Sequence, residues 1–251
     1  MPKIVFYTGA GVSAPSGIPT YRDGKDSLWQ KYNAEEVCNY EKLNINRNKI
    51  RNFYSLLRNE MKDKEPNIHH KSIAALQQEF KNSNVEVEIF TQNIDLLYEK
   101  AGCENITHIH GRIDECKCDD CLEKWKYNGE NKCPKCGGSF IRPNITLFGE
   151  PAEKYYKLKR TLNWFQNGDI LIIQGTYGNV FPISRYLEFL KSNGIRLVTV
   201  LNNLEPSPYL PEKHFDYIYF ENVITAMPKI IQTIKQNLSN SKQEYSIQIT
   251  K

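Results

Sequence analysis

Long apolar runs are missing from this sequence of 251 residues. A membrane-spanning helix needs about 20 consecutive apolar residues, and no stretch approaches that length. No basic leader followed by an apolar core and a small-residue cleavage site precedes Ile4, so nothing in the sequence indicates export. We therefore expect a cytoplasmic protein that does not insert into a membrane.

An excess of charge of one sign is also missing. The chain has 33 basic and 29 acidic residues, a net charge of +4, and its basic residues form no long run. Scattered charge of both signs is typical of a solvated surface, so direct nucleic-acid binding is not expected. The apolar content of 40% suffices for one large core, or for a main domain with a smaller inserted lobe.

The cysteines do not form the even set that a disulfide framework needs. There are seven, and without an export signal an odd number favours reduced thiols or a metal. Eleven residues separate two CxxC pairs, which are Cys118 with Cys121 and Cys133 with Cys136. This spacing predicts a closed tetrahedral zinc site with a structural role, because four ligands leave no open position for water. Separate buried cysteines are the alternative interpretation.

Apolar strand-like segments alternate with helical segments along the chain. Runs at residues 4–7, 85–91, 169–174 and 196–201 each end in a polar loop, while residues 48–61, 71–80 and 182–194 have helical spacing of their apolar side chains. Strands that alternate with helices and have polar loops at their carboxyl ends predict an α/β fold with a doubly wound parallel sheet.

The first polar loop resembles the start of a dinucleotide-binding fingerprint. Gly9-Ala10-Gly11-Val12-Ser13 matches GxGxx, but Ala14 stands where the third glycine is expected. Glycines of this kind let the backbone approach a pyrophosphate, although a plain tight turn would fit nearly as well. The acidic residue expected about 20 positions later is not convincingly placed, since Asp23 comes too early.

Other polar residues follow the later strands, where an open parallel sheet binds ligands. They lie at residues 91–95, 108–111, 175–176 and 201–203. Among them His110 is a candidate general base, because the unshifted pKa of histidine is near neutral. The alternatives, a zinc ligand or a packed histidine, are weakened because four cysteines already complete the metal site. His69 and His70 are expected to be structural.

Taken in order, these motifs resemble those of the sirtuins, the NAD-dependent protein deacylases. The matching segments are GAGVSAPSGIPTYR (9–22), TQNID (91–95), HG (110–111), the paired CxxC knuckles and RPNITLFGE (142–150). The resemblance runs from Ile4 to about Asn203. It implies a Rossmann-like NAD-binding domain of residues 1–32, 80–111 and 144–251. It also implies a small lobe made of a helical module (33–79) and a zinc ribbon (112–143).

The resemblance also implies the reaction. The acyl oxygen of an acylated lysine attacks the nicotinamide ribose as nicotinamide leaves, and a histidine then takes a proton from a ribose hydroxyl. The products would be free lysine, nicotinamide and O-acyl-ADP-ribose, and the site must exclude water that would waste NAD. The implied partner is therefore an acylated lysine on a protein substrate.

Carried onto this sequence, the resemblance assigns a role to each matching residue. His110 is the base, Asn93 positions ribose or water, and Asp95 holds the nicotinamide carboxamide. The implied cofactor-binding residues are Gly9, Ala10, Gly11, Ser13, Tyr21, Arg22, Gln92, Gly175, Thr176 and Asn202. The implied substrate-binding residues are Thr146, Leu147 and Phe148, with Phe148 against the lysine methylenes. Residues 18–23 would form a flap over nicotinamide.

The sequence departs from the family pattern in two places that bear on function. Tyr177, Gly178 and Asn179 replace a small hydroxyl residue and the apolar residues that usually follow it. In the helical lobe, Leu57 stands where sirtuins that remove succinyl or malonyl groups have an arginine paired with a tyrosine, here Tyr54. We therefore expect an uncharged acyl group, most simply acetyl, unless Tyr54 and Leu57 are only core residues.

Three functions remain open from the sequence. The leading hypothesis is an NAD-dependent lysine deacylase. An ADP-ribosyltransferase or NAD glycohydrolase of the same fold is suggested by the altered segment at Tyr177, and a catalytically silent NAD-binding module is the third. Asn93, Asp95 and His110 argue against the silent module, and His110 favours deacylation over simple glycohydrolysis.

Overall fold

The computed structural model describes residues 2–20 and 32–249, with the backbone alone at residue 34 and at 240–249. Its strands are β1 (Lys3–Thr8), β2 (Glu86–Thr91), β3 (Ile106–His108), β4 (Gly111–Cys118), β5 (Lys124–Lys126), β6 (Ile141–Ile145), β7 (Ile170–Gln174), β8 (Val198–Asn203) and β9 (Tyr217–Phe220). Its helices are α1 (Ala34–Val37), α2 (Leu43–Lys62), α3 (Ile68–Phe80), α4 (Leu97–Lys100), α5 (Tyr155–Asn163), α6 (Ile183–Ser192) and α7 (Val223–Ile249).

Six strands form one parallel sheet in the order β3-β2-β1-β7-β8-β9. The central strand β1 alternates its side chains between two apolar cores. Ile4 and Phe6 join the core beneath α3 and α7, whereas Val5 and Tyr7 join the core beneath α5 and α6. A strand buried on both faces reads as a continuous apolar run, which is why residues 4–7 are aliphatic or aromatic and carry no charge. The predicted doubly wound sheet is confirmed.

A smaller three-stranded antiparallel sheet, in the order β5-β4-β6, forms the second lobe. Helix α2 packs on it through Phe53 and Leu57, which share a core with Ile113 of β4 and Ile145 of β6. The helical segment and the cysteine-bearing strands are thus held together by one apolar cluster. No helix in the described part of the chain is long and apolar enough to cross a bilayer.

Helix α3 does not belong with α2, although the sequence analysis grouped residues 33–79 as one helical module. Ile73 and Leu76 of α3 are buried in the core under the large sheet, together with Met227 and Ile230 of α7. The amphipathic pattern identifies the helix but not the surface that its apolar face covers. The packing therefore limits the inserted helical module to α1 and α2 and assigns α3 to the main domain.

Candidate active site

The polar strand ends meet where the winding of the sheet reverses. From β1 the chain reaches β2 and β3 on one side, and β7, β8 and β9 on the other. The loops that leave neighbouring strands at such a reversal diverge, and the crevice between them is the usual ligand site of an open parallel sheet. Residues 9–17, 92–96 and 175–179 follow β1, β2 and β7 and surround this crevice.

Two of these loops are packed backbone against backbone. The amide of Gly9 donates to the carbonyl of Gln174 at 3.0 Å, and that of Gly11 donates to the carbonyl of Gly175 at 2.9 Å. A Cβ on Gly11 would lie 2.7 Å from the Cα of Gly175, and one on Gly175 would lie 2.6 Å from the amide nitrogen of Val12. The close contact between the two loops therefore already requires Gly11 and Gly175, whether or not a ligand is bound. Ala10 lies between Gly9 and Gly11 and is exposed.

Ser13, Asn93 and Asp95 form one buried hydrogen-bonded group. The hydroxyl of Ser13 donates to Asp95 Oδ2 at 2.8 Å and accepts from Asn93 Nδ2 at 3.0 Å. Asp95 Oδ1 accepts from the amide of Leu97, which holds the carboxyl in place. Burial raises the pKa of Asp95 above its ordinary value, although these donors oppose the shift. Three residues predicted from two distant motifs are thus brought together.

Gln92 and Thr176 connect the neighbouring loops across the crevice. Gln92 Nε2 donates to Thr176 Oγ1 at 2.8 Å, and the amide of Thr176 donates to Asn203 Oδ1 at 3.1 Å. Asn203 Nδ2 returns a hydrogen bond to the Thr176 carbonyl at 2.9 Å. The predicted cofactor-binding residues Gln92 and Thr176 therefore lie beside one another at the carboxyl edge of the sheet.

The side chain of Asn202 is not available for the cofactor contact that the sequence analysis gave it. Its side chain is buried, Nδ2 donates to the carbonyls of Tyr219 and Glu221, and Oδ1 accepts from Gln174. Its amide therefore joins β7, β8 and the end of β9. The neighbouring Asn203 is only half-buried at the same strand end, and a sequence cannot decide which of two adjacent asparagines faces the crevice.

His110 follows β3 and has its tautomer fixed by the backbone. Its Nδ1 lies 3.0 Å from the carbonyl of Gln92, which can only accept, so in the neutral ring Nδ1 carries the hydrogen and Nε2 the lone pair. Burial lowers the pKa of His110, and the Gln92 carbonyl partly opposes the shift. Its Nε2 lies 3.2 Å from the hydroxyl of Tyr155, a neighbour that no sequence motif indicated.

A second histidine supports the loop from behind. His108 Nδ1 lies 2.8 Å from the carbonyl of Asn93, and its Nε2 lies 2.9 Å from Glu99 Oε1. Arg112 in turn lies 3.3 Å from the same Glu99 oxygen. The sequence analysis left His108 without a role, and its contacts give it one in holding the backbone of Asn93. Its only sequence signal was its place at a strand end.

The predicted substrate residues run alongside His110. The amide of Thr146 donates to the carbonyl of His110 at 2.8 Å, and Phe148 pairs in parallel with Asn39 through an isolated bridge. The ring of Phe148 is exposed, whereas Leu147 is buried in the core of the small lobe. Backbone and aromatic groups thus lie where an extended peptide could be held, and Leu147 contributes packing.

Tyr177 lies at the outer side of its loop. Its ring centroid is 5.2 Å from that of Tyr209 in an edge-on contact, and its carbonyl accepts a hydrogen bond from Ser207. Gly178 has a positive φ of 81°, and a Cβ there would lie 2.6 Å from Leu210. The altered segment is thus explained by packing against residues 207–210. Tyr21 and Arg22 lie outside the described residues.

The four predicted metal ligands converge. The sulfur atoms of Cys118, Cys121, Cys133 and Cys136 all lie within 4.8 Å of one another, and two of the pairs lie at 3.5 and 3.7 Å. A tetrahedral zinc ion with bonds of about 2.3 Å places its sulfur ligands about 3.8 Å apart. The four cysteines therefore fit a structural zinc site, while Cys116 is buried two residues earlier in β4.

Comparison with known proteins agrees with this geometry. The model of the Sir2 family matches residues 9–182. Two curated relatives, each named NAD-dependent protein deacylase, come from Helicobacter hepaticus and Campylobacter jejuni. The first is 34% identical to this chain, and the match covers 94% of this chain and 98% of the relative. The second is 35% identical, and the match covers 94% of this chain and 97% of the relative.

Solved structures give the same result. A substituted Sir2 homologue in complex with ADP-ribose has a TM-score of 0.76 at 30% identity, covering 94% of this chain and 93% of its own. A complex of a Sir2 homologue with NAD has a TM-score of 0.74 at 29% identity, covering 94% and 90%. The fold and crevice define an NAD-utilising α/β protein with a zinc-ribbon lobe. More specifically, the chain belongs to the Sir2 family.

Proposed function

We propose that this protein removes acyl groups from lysine side chains of proteins in an NAD-dependent reaction, with His110 as the general base. The observation that carries the proposal is the state of His110, a half-buried neutral imidazole whose Nε2 lone pair lies at the ligand-binding edge of the sheet. A base matched to neutral pH is what removal of a hydroxyl proton requires. Membership of the Sir2 family agrees with NAD-dependent lysine deacylation.

The residues of the crevice fit NAD by the kinds of group they offer. Backbone at Ala10 and the hydroxyl of Ser13 would lie along the phosphates and nicotinamide ribose, and the Asn93 and Asp95 side chains would hold the carboxamide and ribose. When bound, NAD supplies the ribose carbon that receives the acyl oxygen. The work of the protein is then to orient that sugar, to exclude water, and to take a hydroxyl proton at His110 Nε2.

Zinc would be held by the four cysteines away from this chemistry. Because all four ligand positions are filled by thiolates, the ion has no open site for water or substrate and would act by stabilising the small lobe. The shared core of Phe53, Leu57, Ile113 and Ile145 connects that lobe to α2. Loss of zinc would therefore disturb the peptide side of the crevice through the lobe.

The acyl group is proposed to be uncharged, with acetyl the leading choice. Tyr54 and Leu57 are both buried in the core of the small lobe, and the Tyr54 hydroxyl lies 3.4 Å from the sulfur of Cys38. Arg58 is directed elsewhere, since its Nε donates to the carbonyl of Ile113 and its guanidinium lies 4.3 Å from the ring centre of Tyr127. Neither Leu57 nor Arg58 therefore offers a cation to an acyl carboxylate.

The test is to identify products by mass after incubation with NAD and an acetyl-lysine peptide. Deacylation predicts free lysine, nicotinamide and O-acetyl-ADP-ribose in equal amounts. Free or protein-linked ADP-ribose without deacetylated peptide would instead identify an NAD glycohydrolase or ADP-ribosyltransferase, and unchanged NAD would refute catalysis. Acetyl- and succinyl-lysine peptides of one sequence should be compared, and faster removal of succinyl would refute an uncharged preference.

A further inference from the structure

The base His110 has a phenol as its neighbour. Tyr155 is the first residue of α5, and its hydroxyl lies 3.2 Å from His110 Nε2. Its ring stacks on that of Phe181, with centroids 5.0 Å apart and planes inclined by 4°. Phe181 stacks in turn on Tyr186, so the phenol is held in a row of three aromatic rings.

The direction of this hydrogen bond follows from the groups around it. The Gln92 carbonyl takes the hydrogen on Nδ1, so Nε2 of the neutral ring can only accept, and the Tyr155 hydroxyl must donate. Burial raises the pKa of Tyr155 to about 12, so the phenol keeps its proton throughout the neutral range. Tyr155 and Gln92 therefore bind opposite sides of one imidazole ring.

We propose that Tyr155 is a positioning residue for the base. Its hydroxyl holds the His110 ring in the neutral form with hydrogen on Nδ1, and before substrate binds it stands in for the hydroxyl that the base will deprotonate. This inference rests on the proposed function for its catalytic meaning, but the hydrogen bond itself belongs to the free protein.

The hydrogen bond from Tyr155 belongs to the neutral form of His110. A proton taken from a substrate hydroxyl goes to Nε2, which removes the lone pair that accepts from the Tyr155 O–H and so breaks this hydrogen bond. The phenol gains and loses no proton in this exchange. The substrate hydroxyl must, however, replace the Tyr155 O–H as the hydrogen-bond donor to Nε2. Tyr155 therefore orients the base and also competes mildly with the substrate for Nε2.

No charged side chain is needed to explain the state of His110. Of the titratable groups in the described residues, Tyr155 faces it from α5 and Tyr7 of β1 lies behind Tyr155. Asp95 in the loop after β2 is instead bound by Ser13. Burial and the hydrogen bond from Tyr155 both favour the neutral ring, because each disfavours the imidazolium. Removing the phenol oxygen should therefore make His110 more basic.

The experiment compares Tyr155→Phe with Tyr156→Phe. The first removes the oxygen and keeps the ring on Phe181, and the second removes a hydroxyl from the exposed neighbour on the same helix. The pKa of His110 is measured in the free protein by NMR of labelled histidine, with its signal assigned by its loss in His110→Gln. Tyr155→Phe should raise this pKa by about 0.5 to 1 unit, whereas Tyr156→Phe should leave it unchanged.

A kinetic profile supplies the second measurement. In Tyr155→Phe the acidic limb of kcat/KM against pH should move upward by the same amount, with the products unchanged. An unaltered pKa of His110, or an equal rise in both variants, would overturn the proposal. Because the NMR titration needs no turnover, its result separates the two claims. A rise without deacylation would refute the proposed function alone, and deacylation without a rise would refute the role of Tyr155 alone.

Discussion

Acid should destabilise this protein through a buried pair of histidines at the start of α3. His69 and His70 are both fully buried, with their rings edge-on 5.1 Å apart and packed around Tyr98. His69 Nε2 lies 2.7 Å from the Tyr98 hydroxyl, while neither ring nitrogen of His70 has a hydrogen-bond partner among the described residues. Burial of both rings therefore disfavours a positive charge on either of them.

The direction of the pH effect follows from the shifted pKa values. Burial lowers the pKa of His70 to about 3 and that of His69 well below its ordinary value, with repulsion from His70 adding to the shift of His69. Both groups therefore bind protons more weakly in the folded protein than in the unfolded chain, where the pKa is about 6.5. Their contribution to stability is complete above pH 6.5 and is lost as the pH falls below it, down to about pH 3 for His70.

The magnitude can be worked out for one proton. At pH 5 an unfolded histidine of pKa 6.5 is almost fully protonated, and each unit below 6.5 lowers the free energy of unfolding by about 1.4 kcal/mol. His70 then removes about 2 kcal/mol at pH 5, and His69 adds a loss in the same direction. The loss from His70 alone is a considerable part of the roughly 5–15 kcal/mol that stabilises an ordinary domain.

Urea unfolding of the wild type and His70→Gln at pH 8 and pH 5 measures the effect of one member. At pH 8 the difference between them reports only packing, so each protein supplies its own control for the substitution. Between pH 8 and pH 5 the variant should lose about 2 kcal/mol less than the wild type. An equal loss in both proteins, or an NMR signal of His70 that titrates near pH 6.5 in the folded state, would refute the reasoning.

Three further predictions concern the site and the small lobe. Gly175→Ala should lower the free energy of unfolding by about 2 to 3 kcal/mol and weaken NAD binding, because its Cβ would meet the backbone of Val12. Gly194 also has a positive φ but lies in open space, so Gly194→Ala should lower the free energy of unfolding by only about 1 kcal/mol. Equal losses in the two variants would refute the loop contact. Chelation of zinc, or the substitution Cys133→Ala, should unfold the small lobe and abolish peptide binding. Proteolysis would follow the unfolding and calorimetry the peptide binding. A lobe that stays folded without metal would exclude a structural zinc. Thr176→Val removes the acceptor of Gln92 and should raise the KM for NAD several-fold with little change in KM for peptide; an unchanged KM for NAD would refute the role of this pair.

The parts of the fold that could be predicted are those set by local pattern. The apolar run of β1 and the polar residues that follow β2 and β7 indicated a parallel sheet and its ligand edge. The spacing of Cys118, Cys121, Cys133 and Cys136 indicated one closed metal site. These features are visible in sequence because period, turn residues and ligand spacing are properties of neighbouring positions.

The parts that could not be predicted depend on contacts between distant segments. The pairing of Tyr155 with His110, the packing of α3 on the large sheet and the contact of Gly11 with Gly175 each join residues that are far apart in the chain. Asn202 illustrates the same limit at short range, since adjacent strand residues point to opposite sides and only the register decides which one is buried.

The most direct test of the account is a product analysis of His110→Ala beside the wild type, with NAD and an acetyl-lysine peptide at pH 7.5. If His110 removes the hydroxyl proton, the variant should remain folded and bind NAD but form O-acetyl-ADP-ribose at least about 100-fold more slowly than the wild type. A variant that releases this product at a rate close to that of the wild type would contradict the account.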